Sequence, residues 1–428
     1  MKIALFYYSN PPEQGGIGHV LDSLLKLFNE RNQRIFFFNP YYKTKYSINI
    51  LKKKKYTLRG LLSKLKNKKF LGFLALAIWK ILKDKRTRLS DRLKIILYLF
   101  VQPNNLLNTI DNLMKIYHKI KKLGIDVFLA GTGTGITLSL TFILARMFNK
   151  KVASITHGNE FLVHSRFSLR TYLFKNIDLL ILGTYTLKEL IKKIHHLDEN
   201  KLAVIYFGLI PEDYKIRESK EELRKEFNIP EDQFVLLSVG RHILRKRFDL
   251  VIEAIKVLKE KVPSIKIKYY LIGKGEETPR LKEITEKLDL KKEIEFLGFT
   301  DIKTRNKFFK LSDVFVMPSV VKKESIEGFG IVFIEANFFC IPVIGTFSGG
   351  IVEAVLNGET GLLVKENDLN DLVEKILFFY FNEDKRRSMG IKGHERVVKN
   401  FNWNLIVNDY VKLFEDLVSG KKRIIQKL

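Results

Sequence analysis

FVLLSVGRHILRKRFDLVIEAI, residues 234–255, is the stretch on which the fold turns. Phe234–Val239 is an apolar run of strand length, suited to a strand buried on both faces. A glycine follows at 240, and from Asp249 the apolar residues take helical spacing. Strand, loop and helix in that order build a parallel sheet with helical crossovers. Outward from it the alternation repeats. Downstream, Ile267–Ile272, Ile294–Leu297, Val314–Met317 and Pro342–Gly345 are expected strands, with helices around 249–261, 278–288, 331–339 and 368–381. Upstream, KIALFYY at 2–8, Arg34–Phe38, Ile125–Ala130, Val152–Thr156, Asp178–Leu182 and Leu202–Tyr206 read as strands. After the first of these, Ile17, Val20, Leu21, Leu24, Leu25 and Phe28 mark one helix face. The reading is an α/β chain of two doubly wound halves joined near 207–215. It ends in a helix whose stripe is Trp403, Ile406, Tyr410, Phe414 and Leu417.

The 428 residues suit two or three domains, and 46% hydrophobic with 29% charged residues excludes wholesale disorder. The one cysteine, Cys340, excludes an intrachain disulfide and a cysteine-rich zinc site, and fits a reducing compartment. Net charge is +28, unevenly placed. Residues 41–100 carry 18 basic and 2 acidic groups, hence +16, whereas 211–428 carry 39 and 35, hence +4. A nucleic-acid binder would spread its cations over a reading surface. Here basic clusters (Lys52 to Lys55; Lys64, Lys66, Lys68, Lys69; Lys83, Lys85, Arg86, Arg88) flank the apolar runs Phe70 to Trp79 and Ile95 to Val101. Both runs fall short of the roughly 20 residues that cross a bilayer. MKIALFYYSNPPEQGG meets a Pro/Gly turn too soon for a signal peptide. The segment suits helices lying in an anionic membrane interface, the alternative being a lysine-rich excursion packed on its own domain.

Ligands of open parallel sheets sit at the carboxyl ends of strands, where helix N-termini offer free N–H groups to anions. Four segments fit. Gly15-Gly16-Ile17-Gly18 lies between the first strand and its helix, and GTGTG at 131–135 has the same form; a plain tight turn explains either. In the opening stretch, Arg241 and Lys246 stand five apart before a helix and can clamp a diphosphate, Arg as a fork and Lys as a point charge. In MPSVVKKESIEGFGIVFIEANFF at 317–339, Glu327 and Glu335 flank Gly328-Phe329-Gly330, with a helix starting near Ile331. Glu335 can accept from ribose hydroxyls and Glu327 from sugar hydroxyls, while a structural salt-bridge set is the other reading. THGNE at 156–160 puts His157 at a strand end, where a histidine is either structural or functional.

Together these segments resemble glycosyltransferase family 4, of GT-B fold, over about 200–365 and less closely over 1–30 and 150–195. EGFGIVFIE carries the family's paired glutamates, SGGIVEAVLNGETGLLV at 348–364 its Gly-Gly helix start, and VIYFGLIPEDY at 204–214 its interdomain hinge. The resemblance implies an acceptor-side domain at 1–208 with a basic insert at about 41–115. It implies a nucleotide-sugar domain at 209–395 and a helical segment at 396–428 crossing back. It gives Arg241, Lys246 and Gly16 to the donor diphosphate and Glu335 to the ribose. Glu327, with the amides of Phe329, Gly330 and Ile331, goes to the sugar and phosphate, and His157 faces the transferred sugar. Phe207 stands where the family has Asn, and Arg247 where it has Gly; GKGE at 273–276 leaves the base open.

A member of this kind retains anomeric configuration and needs no cofactor beyond its nucleotide-sugar co-substrate. The chain has no Asp-x-Asp pair, so a cation clamp rather than a metal is expected at the leaving group. The expected partners are the donor, a glycan or lipid-linked acceptor and an anionic membrane surface, with no nucleic acid. The expected place is cytoplasmic, on the inner face of a membrane. The rival readings are a non-catalytic sugar-nucleotide-binding protein at a membrane surface, and another GT-B enzyme such as a nucleotide-sugar epimerase or a phosphorylase.

Overall fold

The computed structural model describes residues 1–7, 16–31, 33–38, 75, 78–79, 116–133, 135–158, 162, 169–323 and 325–421. They form two compact units, Met1–Gly183 with Lys188–Ile205 and Val407–Leu428, and Thr184–Leu187 with Tyr206–Ile406.

The first unit holds a six-stranded parallel sheet: β1 (Lys2–Phe6), β2 (Arg34–Phe38), β3 (Val127–Ala130), β4 (Lys151–Thr156), β5 (Leu179–Leu182) and β6 (Leu202–Val204), in the order β2-β1-β3-β4-β5-β6. Every residue of β3 and β5 is buried, as a sheet covered on both faces requires. The helix Gly16–Glu30 buries Val20, Leu21, Leu24, Leu25 and Phe28, five of the six residues read as its apolar face. The side chain of the sixth, Ile17, lies outside the described residues. Phe28 meets Phe414 of the helix Trp403–Ser419 at 6.2 Å between ring centroids. All five residues of the terminal stripe are buried.

The second unit repeats the plan with β7 (Phe234–Val239), β8 (Ile267–Ile272), β9 (Ile294–Gly298), β10 (Val314–Val316), β11 (Val343–Thr346) and β12 (Gly361–Val364), all parallel, in the order β12-β11-β10-β7-β8-β9. The register of β7 on β8 runs unbroken from Phe234↔Ile267 to Val239↔Ile272. Below β7, buried Asp313 accepts from the Val235 N–H at 2.7 Å and from Arg224 and Lys220 at 2.6 Å each. This satisfied cluster fixes where β7 and β10 begin, and so where their far ends present loops. β12 was not expected as a strand: four residues opening on Gly361 show no period, and pairing with β11 makes it one.

The basic insert at about 41–115 lies outside the described residues except for Ala75, Ile78 and Trp79, which are helical. Among the described residues no helix is long and apolar enough to cross a membrane.

Candidate functional site

β7 delivers the chain at Val239 into Gly240 and Arg241, and a single 3-10 turn, Leu244–Lys246, precedes the helix Phe248–Lys261. Arg247, between turn and helix, holds φ 52°, a left-handed conformation that glycine adopts more easily. Its guanidinium is anchored by Asp249, 3.0 Å from Nε, and by Asn367. Side-chain anchoring thus holds a position where the resembled family uses glycine.

The turn aims two neighbouring cations at one carboxylate. Lys246 donates from Nζ to Glu327 and lies 3.1 Å from the Met317 sulfur; Arg245 donates from Nη1 to the same Glu327 oxygen at 2.8 Å. All three side chains are largely buried. Burial alone would raise the Glu327 carboxyl, but Lys246 and Arg245 outweigh it and hold it at about 2. Burial pulls Lys246 down from the ordinary lysine range, opposed by Glu327. The pair is charged, and one edge of Glu327 is committed to it.

Gly328-Phe329-Gly330 turns the chain into the helix Ile331–Phe338. Gly330 sits at φ 85° and no side chain caps the helix, so its first N–H groups are not taken by a capping group. Phe329 is buried among Tyr206, Phe207 and Phe401, at ring-centroid distances of 5.8, 6.4 and 5.4 Å. This gives Phe207 a structural reason: it packs on the turn that carries the helix start. The second glycine turn, 348–350, lies against the first. Gly350 N–H donates to the Glu327 carbonyl at 2.9 Å, and Thr184 donates to the Gly328 carbonyl at 3.1 Å. A Cβ on Gly350 would come within 2.0 Å of that Gly328 oxygen, which explains the paired glycines at 349 and 350. One turn on, Glu353 accepts from the N–H groups of Tyr185 and Thr186 at 2.8 and 2.6 Å and from the Tyr206 hydroxyl at 3.0 Å.

Arg241 is exposed and makes no ion pair among the described residues. It lines a cavity of about 460 Å³ together with Arg245, Glu276, Lys322, Leu244 and Ser325. Glu335, on the second turn of its helix, is 3% exposed and accepts at Oε1 from the Tyr214 hydroxyl at 2.7 Å and from Arg305 at 2.9 Å. The second unit therefore brings Lys246, Glu327, Phe329, Gly330 and Ile331 together. Arg241 stands on the adjoining cavity wall with Arg245, and Glu335 has its own partners. Arg245, Glu353, Tyr214 and Arg305 were not singled out from sequence. The run Arg245-Lys246-Arg247 signals a cation at each position, and only the turn decides which two meet Glu327.

In the first unit, Gly16 opens the helix Gly16–Glu30, and residues 8–15 lie outside the described residues. His157 follows β4, half-buried, with Nε2 2.9 Å from the Gly131 carbonyl. A carbonyl partner makes Nε2 the protonated nitrogen in the neutral ring and leaves Nδ1 the acceptor. The run at 131–135 thus supplies a carbonyl that orients His157. Among the described residues no cluster of three or more His, Cys, Asp or Glu is arranged to hold a metal.

The family profile described as Glycosyl transferases group 1 matches residues 219–396, a span that holds every residue of the Lys246–Glu327 constellation. An uncharacterized glycosyltransferase of Methanocaldococcus jannaschii is 32% identical over 268 residues, 61% of this chain and 67% of that one. A putative colanic acid biosynthesis glycosyltransferase, WcaL of Escherichia coli, is 28% identical over 301 residues, 68% of this chain and 71% of that one. Among solved structures, HepE of Anabaena in complex with UDP and glucose superposes with a TM-score of 0.69 at 15% identity, covering 97% of this chain and 100% of its own. At that identity the likeness establishes the fold, two Rossmann-like α/β units of the GT-B kind.

Proposed function

Because the chain belongs to the group 1 glycosyltransferases, we propose that it transfers a sugar from a nucleotide-diphosphate donor to an acceptor hydroxyl with retention of anomeric configuration. The observation that carries this reading is the buried Lys246–Glu327–Arg245 set beside the uncapped helix start at Ile331. Charge develops on the departing diphosphate as the anomeric C–O bond breaks. Preorganised donors aimed at that charge lower the barrier most where water is excluded. Arg241, Lys246 and the amides of Phe329, Gly330 and Ile331 are those donors. Glu327 presents its remaining carboxylate edge to sugar hydroxyls. The acceptor oxygen forms the new bond on the face the diphosphate leaves, and its proton passes to the departing phosphate oxygen.

His157 keeps a sugar-orienting role in this proposal, and Gly16 an amide role toward the diphosphate. Cations in place of a divalent ion make the transfer metal-independent, so turnover should persist in EDTA. The acceptor is a glycan or a lipid-linked glycan at an anionic membrane surface on the cytoplasmic side. The charge concentrated at 41–100 supports that setting, and the colanic acid relative supports a glycan acceptor. Lys246 bonded to Glu327 and Arg305 bonded to Glu335 speak against the non-catalytic reading.

The test is a panel of UDP-, ADP- and GDP-sugars scored by thermal shift, since a ligand at 100 times its Kd stabilises the fold by about 2.7 kcal/mol. Turnover of the donor that binds is then followed by NMR of the product's anomeric proton. Retention is expected. No stabilising donor, or an inverted product, would refute the reading.

A further inference from the structure

Among the described residues Glu335 is fixed by two groups from elsewhere in its unit, both at one oxygen. Tyr214 ends the 3-10 turn Pro211–Tyr214, is 2% exposed, and packs against Phe338 and Phe339 at 5.6 and 6.4 Å. Burial, and then the neighbouring carboxylate, push its phenol well above the ordinary range, so it remains an O–H donor. Arg305 comes from the helix Ile302–Leu311; burial opposes its charge, and Glu335 outweighs that and keeps it charged. A backbone tie supports the arrangement: Asn306, next to Arg305, donates to the Asp213 carbonyl at 3.1 Å, next to Tyr214. Both donors converge on Oε1. Oε2 has no hydrogen-bond partner among the described residues, and its lone pairs remain for a ligand.

We infer that Tyr214 and Arg305 are positioning residues that saturate Glu335 Oε1 and present Oε2 as the acceptor for a donor's ribose diol, so that together they set a preference for ribonucleotide over deoxyribonucleotide donors. This rests on the reading of the second unit as a nucleotide-sugar site. The physical reason is selectivity by unpaired groups: a carboxylate oxygen held rigidly toward a hydroxyl loses a charge-assisted hydrogen bond when the hydroxyl is missing. A carboxylate free to rotate would find another partner and discriminate less. Neither Tyr214 nor Arg305 need touch the ligand for this to hold.

The experiment is calorimetric titration of the full chain with UDP, ADP and GDP and with their 2′-deoxy and 3′-deoxy counterparts. It is repeated on Tyr214→Phe, which keeps the ring packing, and on Arg305→Lys, which keeps the charge. The parent should bind at least one ribonucleotide about tenfold more tightly than a deoxy counterpart, the scale of one charge-assisted hydrogen bond. In each variant that ratio should fall to about threefold or less while the deoxynucleotide Kd stays as in the parent. Equal weakening of ribo- and deoxynucleotides, or an unchanged ratio, overturns the positioning role. A parent that binds both equally removes the ribose from Glu335. A parent that binds none of the diphosphates removes the nucleotide-site reading itself.

Discussion

Lys246 and Glu327 stand 81 positions apart in the chain and meet as a buried ion pair, with Arg245 donating to the same carboxylate oxygen. The two ends arrive from loops at the carboxyl ends of two adjacent strands, β7 and β10. Breaking a buried pair from one side leaves an uncompensated charge, a loss of about 3–5 kcal/mol where no other partner exists. Arg245 remains here, so Lys246→Met is expected to cost about 2–3 kcal/mol, below that range. Lys246→Met with Glu327→Gln should cost less than the two single changes added together, because either change alone already removes the Lys246–Glu327 attraction. Urea unfolding of the two single variants and the double variant closes the cycle; simple additivity would show that the two groups are not coupled.

The same carboxyl gives a pH signature. In the folded chain it sits at about 2, against an ordinary 4.5. A carboxyl depressed by folding contributes stability that is complete above its unfolded value and is lost as pH falls through its folded value. The parent should therefore lose stability between pH 4.5 and 2 more steeply than Glu327→Gln. Parallel pH profiles for the two proteins would contradict the assignment.

Arg241 and Lys246 should separate rate from stability. Each is expected to lower turnover at least 10²-fold on change to Ala, about 2.7 kcal/mol of transition-state binding. Arg241 is exposed and unpaired among the described residues, so Arg241→Ala should leave the unfolding midpoint where it is. Lys246→Ala should lower both. An Arg241→Ala enzyme with parental kinetics would take Arg241 out of the clamp.

The parallel sheets were legible because their strands are short, apolar and bounded by glycine and polar turns, so burial on both faces left visible apolar runs of strand length. β12 was not, since GLLV at 361–364 carries no pattern of its own and becomes a strand only through β11. The helix Glu383–Asn400 was hidden for a different reason. Its sequence is mostly polar, with Met389 and Val397 buried, and it docks closely through glycine: a Cβ on Gly390 would stand 1.9 Å from the Cys340 carbonyl. At the site, residue type pointed to Lys246 and Glu327, but the geometry of a 3-10 turn decided that Arg245 joins them. Tyr214 and Arg305 reach Glu335 over 121 and 30 positions of chain, and no local pattern encodes such a meeting.

Gly350 and Gly358 make a contrasting pair. An alanine Cβ at 350 would sit 2.0 Å from the Gly328 carbonyl oxygen and 2.9 Å from the Thr184 methyl. Gly350→Ala should push the 328–330 turn away, costing about 1–3 kcal/mol as overpacking does, and it should lower turnover with it. Gly358 holds φ 82° with nothing within 4 Å of its would-be Cβ. Gly358→Ala should cost about 1 kcal/mol of backbone strain and leave turnover untouched. Equal turnover losses in the two variants would deny the nested turns any part in shaping the site.

The excess charge at 41–100 makes the last prediction quantitative. Each Lys or Arg near an anionic surface contributes about 1 kcal/mol, so five or six engaged together concentrate the protein there roughly 10³- to 10⁴-fold. Changing Lys64, Lys66, Lys68 and Lys69 to Gln removes four charges from that segment. Binding to vesicles containing phosphatidylserine should then weaken by about 10²- to 10³-fold at low salt. The gap between parent and variant should narrow as salt rises, because at 1 M the screening length is about 3 Å. Neutral vesicles separate the electrostatic part from the apolar part, since the runs Phe70 to Trp79 and Ile95 to Val101 are the same in both proteins. If the variant binds the anionic vesicles as tightly as the parent at every salt concentration, the cations of this segment do not bring the enzyme to a membrane.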